Sequence, residues 1–280
     1  MKALVLGAGG QLGSDLATLL PEGAGVSHQE VSVADPAALL ALMRDRRPDI
    51  VFNCAAYNAV DRAENERHLA FQVNSEGAFN AAVACERIGA RLVHFSTNFV
   101  FDGRLDRPYV ESDLALPLGV YAQSKREGER RVLEAMPRAL VVRTAALFGD
   151  RGASSQGGSF PGRIVMRARA GGPLRVVADQ RVNPTYTRDL APVAIHLAQD
   201  GLEGVVHLVA GGCCGWDELA RAALAECGVR GDVESVSSAD IKSPAARPLN
   251  GCLSSTRVSP LRPWLEGLHQ WAERRAAHGG

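Results

Sequence analysis

The sequence predicts an α/β fold built on a doubly wound parallel sheet, with a smaller C-terminal α/β substrate-binding region. Three observations predict it. Short apolar runs alternate with helical patterns through the first half of the chain. Those runs are nearly continuous in Val, Leu and Ile, as strands covered on both faces require. A glycine-rich turn directly follows the first run and opens a helix.

The elements follow in order. Ala3-Leu4-Val5-Leu6 reads as a buried strand, and Gln11 to Leu20 as a helix stopped by Pro21. Asp35 is an N-cap with Pro36 at the first helical position, opening a helix to about Arg46. Asp49 to Asn53 is the next strand, and a helix runs from about Leu69 to Ile88, ended by Gly89. Arg91 to Phe95 is a strand, Tyr121 to Glu134 a helix, and Ala139 to Arg143 a strand. Beyond Gly149 the pattern loosens. Gly152 to Gly162 reads as a mobile loop, helices are expected near 160–170, 187–200 and 216–227, and Val205 to Val209 is a strand. Trp264, Leu268 and Trp271 recur at helical spacing and read as core contacts. The expected layout is a nucleotide-binding domain over 1–149 and a mainly substrate-binding region over 150–280, with segments near 175–210 returning to the first domain.

Composition excludes several classes. The 280 residues are 46% hydrophobic and 22% charged, which is too apolar for a disordered chain. Thirty-one basic residues balance 31 acidic ones, without the basic excess or stripe of a nucleic-acid-binding surface. No apolar run reaches the length of a membrane span or a secretory signal, so a cytoplasmic location is expected. The six cysteines form neither a C-x-x-C pair nor a zinc-like spacing, and read as buried reduced thiols, with the adjacent Cys213-Cys214 pair incidental.

Gly7, Gly10 and Gly13 sit between the first strand and the first helix. Glycine there permits a tight turn, close approach of a pyrophosphate and close helix–strand packing, and the helix N-terminus offers free N–H groups to the phosphates. This is the Rossmann-type context of a dinucleotide site. After the second strand Glu30 is the lone acid and no Arg is near, so the choice between NADH and NADPH stays open.

Tyr121-Ala122-Gln123-Ser124-Lys125 places a phenol and an ammonium one helical turn apart. Reduction of a carbonyl needs a proton donor beside the hydride source, and a nearby cation lowers a phenol's pKa. Lysine occurs at only three positions, 2, 125 and 242, so Lys125 does not come from a lysine-rich background. Thr97 ends a strand at its carboxyl edge, where ligands of open α/β sheets bind, and its hydroxyl can steady a developing oxyanion.

Together these residues resemble the extended short-chain dehydrogenase/reductase superfamily and, within it, the dTDP-4-dehydrorhamnose reductase family, over nearly the whole chain. The matching segments are Gly7 to Gly13, Asn53 to Glu64, Ser96 to Gly103, Asn183 to Ala191 and Ala246-Arg247-Pro248. The resemblance implies NADPH or NADH as cofactor and reduction of the 4-keto group of a nucleotide-activated, dTDP-linked deoxysugar. It places Gly7, Gly10, Gln11, Leu12, Gly13, Ser32, Val33, Ala55, Ala56, Tyr57, Asn74 and Phe95 at the cofactor, together with Tyr121 and Lys125. Thr97, Tyr121 and Lys125 would be catalytic, with Lys125 tuning Tyr121. Thr97, Asn98, Ala146 and Arg247 would meet the sugar. A homodimer is compatible with it. Asp15 matches a position that serves Mg²⁺-dependent assembly in some members, but reads here as a helix acid, and no metal is expected.

The chain departs from the family pattern at Asn98, where an acid is usual, at Phe99 for Tyr, at Ala146 for an aromatic, and at Ser32 for Asp. Three of these four lie on the substrate side and point to a different or larger sugar. A non-catalytic homologue on the same fold and a nucleotide-sugar epimerase are the competing readings. Retention of both Tyr121 and Lys125 speaks against the first, and the substrate-side motifs against the second.

Overall fold

The computed structural model describes residues 1–150 and 158–277. The first half contains β1 (Ala3–Leu6), α1 (Gln11–Leu19), β2 (Gly25–Val26), α2 (Pro36–Arg46), β3 (Ile50–Asn53), α3 (Val60–Ala63), α4 (Arg67–Phe71), α5 (Gly77–Ile88), β4 (Arg91–Thr97), α6 (Val120–Ala135) and β5 (Leu140–Thr144). The second half contains β6 (Leu147–Phe148), α7 (Phe160–Arg169), β7 (Leu174–Val177), β8 (Arg181–Val182), β9 (Thr185–Tyr186), α8 (Thr187–Gln199) and β10 (Gly204–His207). It ends with β11 (Ala210–Gly211), β12 (Cys214–Gly215), α9 (Trp216–Glu226), β13 (Val233–Val236), β14 (Leu261–Pro263) and α10 (Trp264–Ala277).

Six strands form one parallel sheet in the order β10-β5-β4-β3-β1-β2. The order reverses between β1 and β3, as in a doubly wound sheet, and this opens a crevice at the carboxyl ends of the strands. One face packs Leu4, Leu6, Val51, Leu92 and Val141 against Leu39 and Met43 of α2, Ala81 and Ala82 of α5 and Val132 of α6. The other face packs Val5, Phe52, Val93, Phe95 and Val142 against Leu12 and Leu16 of α1 and Leu190 and Ala194 of α8. With both faces covered, apolar side chains are favoured on both sides of these strands, which is why they read as nearly continuous runs. A separate core gathers Ile164, Val165, Leu219, Leu224, Leu268 and Trp271 beneath β7 and β13.

Local signals explain most boundaries. The Asp35 carboxylate accepts the Ala37 and Ala38 N–H groups at 3.0 Å each and caps α2. Gly89 closes α5 in the left-handed region at φ 75°. The expected helix over 69–88 begins at Arg67 and is interrupted by a π-turn at Gln72–Glu76, which the apolar periodicity does not reveal. The loop expected over 152–162 lies outside the described residues through 157. Its last part is helical instead, because Pro161 falls in the first turn of α7, where its missing N–H is harmless.

The cysteines also differ from expectation. Cys213 is joined to Cys252 across 39 residues of sequence, with Cα atoms 6.1 Å apart. The pairing is set by the close approach of the β11–β12 turn to the chain before β14, which spacing alone does not encode. Cys54, Cys85, Cys214 and Cys227 are free.

Candidate active site

The site is built at the carboxyl ends of β1, β3 and β4. Gly7 lies in the left-handed region at φ 77°, and a Cβ there would sit 2.7 Å from the Ala55 backbone nitrogen. Only glycine lets the β1–α1 turn come this close to the end of β3. A Cβ at Gly13 would lie 2.3 Å from the Gly7 carbonyl oxygen, so α1 also packs back on the turn only as glycine. Gly10 is the N-cap of α1 and no side chain caps that end. The first-turn N–H groups at Gln11, Leu12 and Gly13 are those a helix leaves without intrahelical partners. The Gln11 Oε1 is buried without a partner. An uncapped helix start and a cradle shaped by glycine fit the pyrophosphate of a dinucleotide.

The walls of this crevice take in the other expected cofactor residues. Ser32 lies on an exposed turn after β2, its hydroxyl accepting the Ala34 N–H at 3.2 Å, and Val33 is buried against Gly77. Glu30 turns back to accept the Ser27 N–H at 2.8 Å, which holds its carboxyl below the usual range. Ala55 and Ala56 continue from β3. Asn74, on the π-turn, accepts the Tyr57 N–H and donates to the Tyr57 carbonyl, both at 2.9 Å, and donates to the Ser124 hydroxyl at 3.0 Å. The widened turn thus carries a buried amide that ties the segment after β3 to α6. The Tyr57 hydroxyl donates to the Glu66 carboxylate, a partner the sequence does not announce.

Tyr121 stands on the first turn of α6. Burial pushes its phenol above the usual value, and the neighbouring Thr97 hydroxyl pulls partly the other way. Phe99 meets it edge-on at 5.7 Å between ring centroids. The Thr97 hydroxyl accepts the Phe99 N–H at 3.2 Å and donates to Asn98 Oδ1 at 3.3 Å. Lys125 is 3% exposed, and its ammonium donates to the Phe95 carbonyl at 2.7 Å. Burial brings its pKa down to about 8, opposed by the charge of Glu129. The expected lowering of the Tyr121 pKa by Lys125 is not what this geometry gives. The ammonium is engaged by the β4 backbone, and burial dominates the phenol, which stays protonated at neutral pH.

Behind Lys125 lies a buried ion pair. Glu129, fully buried one turn further along α6, receives a bidentate pair of hydrogen bonds from Arg143 of β5 at 2.9 and 2.8 Å. Arg126 adds a third at 2.9 Å. Arg143 also lies over the Phe101 ring, 5.2 Å from its centroid.

Two residues expected at the sugar are engaged within the protein. Asn98 is 1% exposed, and its Nδ2 donates to the Gly251 carbonyl at 2.9 Å. It tethers the segment around Cys252 to the end of β4, so its amide is not turned to a ligand. Arg247 forms a two-pronged pair with Asp61 at 3.0 and 2.8 Å, fixing the chain before Leu249 against α3. That pair holds the Asp61 carboxyl at about 2. Ala146 is half-buried and left-handed, at φ 42°, with its carbonyl accepting the Thr185 N–H at 3.3 Å. The Asp15 carboxylate accepts the Thr187 hydroxyl at 2.6 Å and faces Arg188, joining α1 to the start of α8. Among the described residues no three His, Cys, Asp or Glu side chains are grouped so as to hold a metal ion.

A doubly wound sheet, a glycine cradle at its switch point and a Tyr-x-x-x-Lys pair beside it define an NAD(P)-dependent oxidoreductase of the extended short-chain dehydrogenase/reductase type. More narrowly, the chain belongs to the RmlD substrate binding domain family, whose sequence profile matches residues 1–276. It is 40% identical to a dTDP-4-dehydrorhamnose reductase of Mycobacterium tuberculosis, over 95% of this chain and 91% of that one. It is 34% identical to a dTDP-4-keto-6-deoxy-D-glucose reductase of Streptomyces niveus, over 95% of each chain. A crystal structure of a dTDP-4-dehydrorhamnose reductase from Bacillus anthracis in complex with NADP superposes with a TM-score of 0.92 at 31% identity, covering 98% of this chain and 100% of that one.

Proposed function

We propose that the chain reduces the 4-keto group of a dTDP-linked deoxysugar at the expense of NADPH or NADH. The observation that carries this reading is the meeting of Thr97, Tyr121 and Lys125 beside the glycine cradle, in a chain whose relatives are named as reductases of such sugars. The bound nicotinamide would supply the hydride to the carbonyl carbon. Gly7, Gly10, Gln11, Leu12 and Gly13 would hold its pyrophosphate at the start of α1, with Ala55, Ala56, Tyr57, Asn74 and Phe95 along the crevice.

Tyr121 carries the proton. Its buried phenol stays neutral at physiological pH, the form a reduction needs, and gives its proton to the carbonyl oxygen as the alcohol forms. Thr97 turns its single hydroxyl proton toward the same oxygen. Lys125 keeps positive charge on the β4 side of the site as the phenolate appears. Ala146 leaves space where the family has an aromatic ring, which suits a sugar with a larger substituent. Residues 1–149 would serve mainly the nucleotide cofactor and 150–280 mainly the sugar, with α8 and β10 closing the main sheet.

The test is loss of reduced-nicotinamide absorbance with dTDP-4-keto-6-deoxy sugars generated in situ, run with both cofactors. Rapid oxidation with a dTDP sugar is expected. NAD⁺ that stays bound through purification, together with net epimerisation and no consumption of reduced cofactor, would replace the reductase by an epimerase.

A further inference from the structure

We propose that Glu129 is a positioning residue of the site: its buried carboxylate, one helical turn beyond Lys125 on the sheet-facing side of α6 and clamped by Arg143, is the negative charge that partners the Lys125 ammonium. The inference rests on the reading of Lys125 as the cation of a reductase, and it assigns to Glu129 a task that the Tyr-x-x-x-Lys pair cannot do for itself.

The geometry carries it. Lys125 and Glu129 are four apart on α6, so they share a face of the helix, the face turned to the sheet. Both are buried, at 3% and 0% exposure. A lone ammonium at such a depth loses its proton readily. The other titratable groups that face Lys125 supply no negative charge. Cys54, at the end of β3, is kept a neutral thiol by burial, and His94, on β4, is kept a neutral ring by burial. Tyr121, on the same helix, is a neutral phenol for the same cause. Glu129 is the carboxylate on this face.

Glu129 in turn would be protonated at this depth were it alone. Burial works against its charge, and the bidentate Arg143, the neighbouring Ser96 and Arg126 more than offset it, so its carboxyl lies below the usual range. The arrangement is a relay of charge through two elements. Arg143 on β5 keeps Glu129 ionised, and Glu129 on α6 keeps Lys125 protonated. Arg143 reaches Glu129 from the sheet, and the charge of Glu129 acts on Lys125 against the effect of burial. Arg126 bonds the same carboxylate from the helix and is half-exposed, with 40% of its side chain accessible. Removing it leaves the core intact.

The test reads Lys125 directly and needs neither cofactor nor sugar. With three lysines in the chain, Lys125 can be followed by ¹³Cε NMR of lysine-labelled protein, its signal assigned by its loss in Lys125→Met. The wild-type midpoint is expected near 8. Glu129→Gln is expected to lower that midpoint by about 1–2 pH units, the size of one charge lost at a helical turn's distance in a protein interior. Arg126→Gln is expected to raise it by a few tenths of a unit, because it unmasks Glu129 and removes a like charge. The alkaline limb of kcat/KM should move in the same directions, whereas a merely structural role would lower kcat and leave the limb in place. Unmoved midpoints in both variants overturn the proposal. If Glu129→Gln does not fold, Glu129→Asp decides: drawing the charge back by one carbon should lower the midpoint, and an unmoved midpoint overturns the proposal. Ketone reduction with unmoved midpoints removes this inference only, and shifted midpoints in a chain that reduces no keto sugar remove the reductase reading only.

Discussion

Replacing Lys125 with methionine keeps the length of the side chain and deletes its charge, so it isolates what the buried ammonium costs the fold. Burial lowers the pKa from 10.5 to about 8, and a shift of that size corresponds to about 3 kcal/mol against the folded state at neutral pH. Against this, the variant loses the hydrogen bond to the Phe95 carbonyl at 2.7 Å, and leaving that acceptor unpaired costs about 1–2 kcal/mol. The balance predicts that Lys125→Met is more stable than the wild type by about 1–2 kcal/mol at neutral pH, while reductase activity is lost. The pH dependence follows from the sign of the shift. A lysine with a depressed folded pKa binds fewer protons folded than unfolded across the window from about 8 to 10.5, so the wild type gains stability as pH rises through it. The variant has no such gain, and its advantage should fall by about 2–3 kcal/mol between neutral pH and about pH 10, reversing the order. Urea unfolding of both proteins at the two pH values measures this. A stability difference that does not change with pH, or a variant several kcal/mol weaker at neutral pH, would refute the reasoning.

Other outcomes are expected alongside. Tyr121→Phe should lower kcat by about 10²–10⁴-fold, with the dissociation constant for NADPH unchanged by titration calorimetry. Gly7→Ala puts a Cβ 2.7 Å from the Ala55 nitrogen at φ 77°; it should lose about 1–2 kcal/mol in urea unfolding and weaken NADPH binding. Arg143→Met leaves the Glu129 charge without its bidentate partner, and should cost about 3–5 kcal/mol in the same assay at neutral pH. In the wild type the contribution of Glu129 is complete above its unfolded pKa of 4.5 and disappears as pH falls through its lower folded value, so this deficit should narrow in acid. Asn98→Asp sets a carboxylate oxygen against the Gly251 carbonyl where an amide now donates at 2.9 Å; about 1–3 kcal/mol should be lost, with KM for the sugar rising as the tethered segment loosens.

What could be read in the sequence was local. The glycine turn, the apolar strands and the Tyr121–Lys125 spacing each lie within one or two elements, where periodicity and turn chemistry act directly. The site's remaining geometry depends on partners brought together by the completed fold. Asn98 meets Gly251 across 153 residues, and Arg247 meets Asp61 across 186. Nothing near Asn98 in the chain shows that its amide is already engaged, so its place in the family motif reads as a sugar contact. The π-turn around Asn74 was hidden for a different reason. One extra residue in a helix turn barely disturbs an apolar pattern, although here it sets the amide between Tyr57 and Ser124. In the sequence Glu129 is one acid among several along α6. The signal that could have found it is its spacing of four from Lys125, on the face that must turn toward the sheet.

The outermost strand of the main sheet has a consequence for how the protein is made. β10 pairs with β5, but it begins at residue 204, well after β5 ends at residue 144. A growing chain therefore presents the β5 edge, with Val141 and Val142, before the strand that covers it has been synthesised. At translation rates of about 5–20 residues per second, that edge stays open for roughly 3–12 s after β5 is complete. An unpaired apolar edge is a template for pairing with other chains. The nascent polypeptide is thus most prone to aggregate, and most in need of a holding chaperone, while ribosomes traverse the codons for residues 145–207.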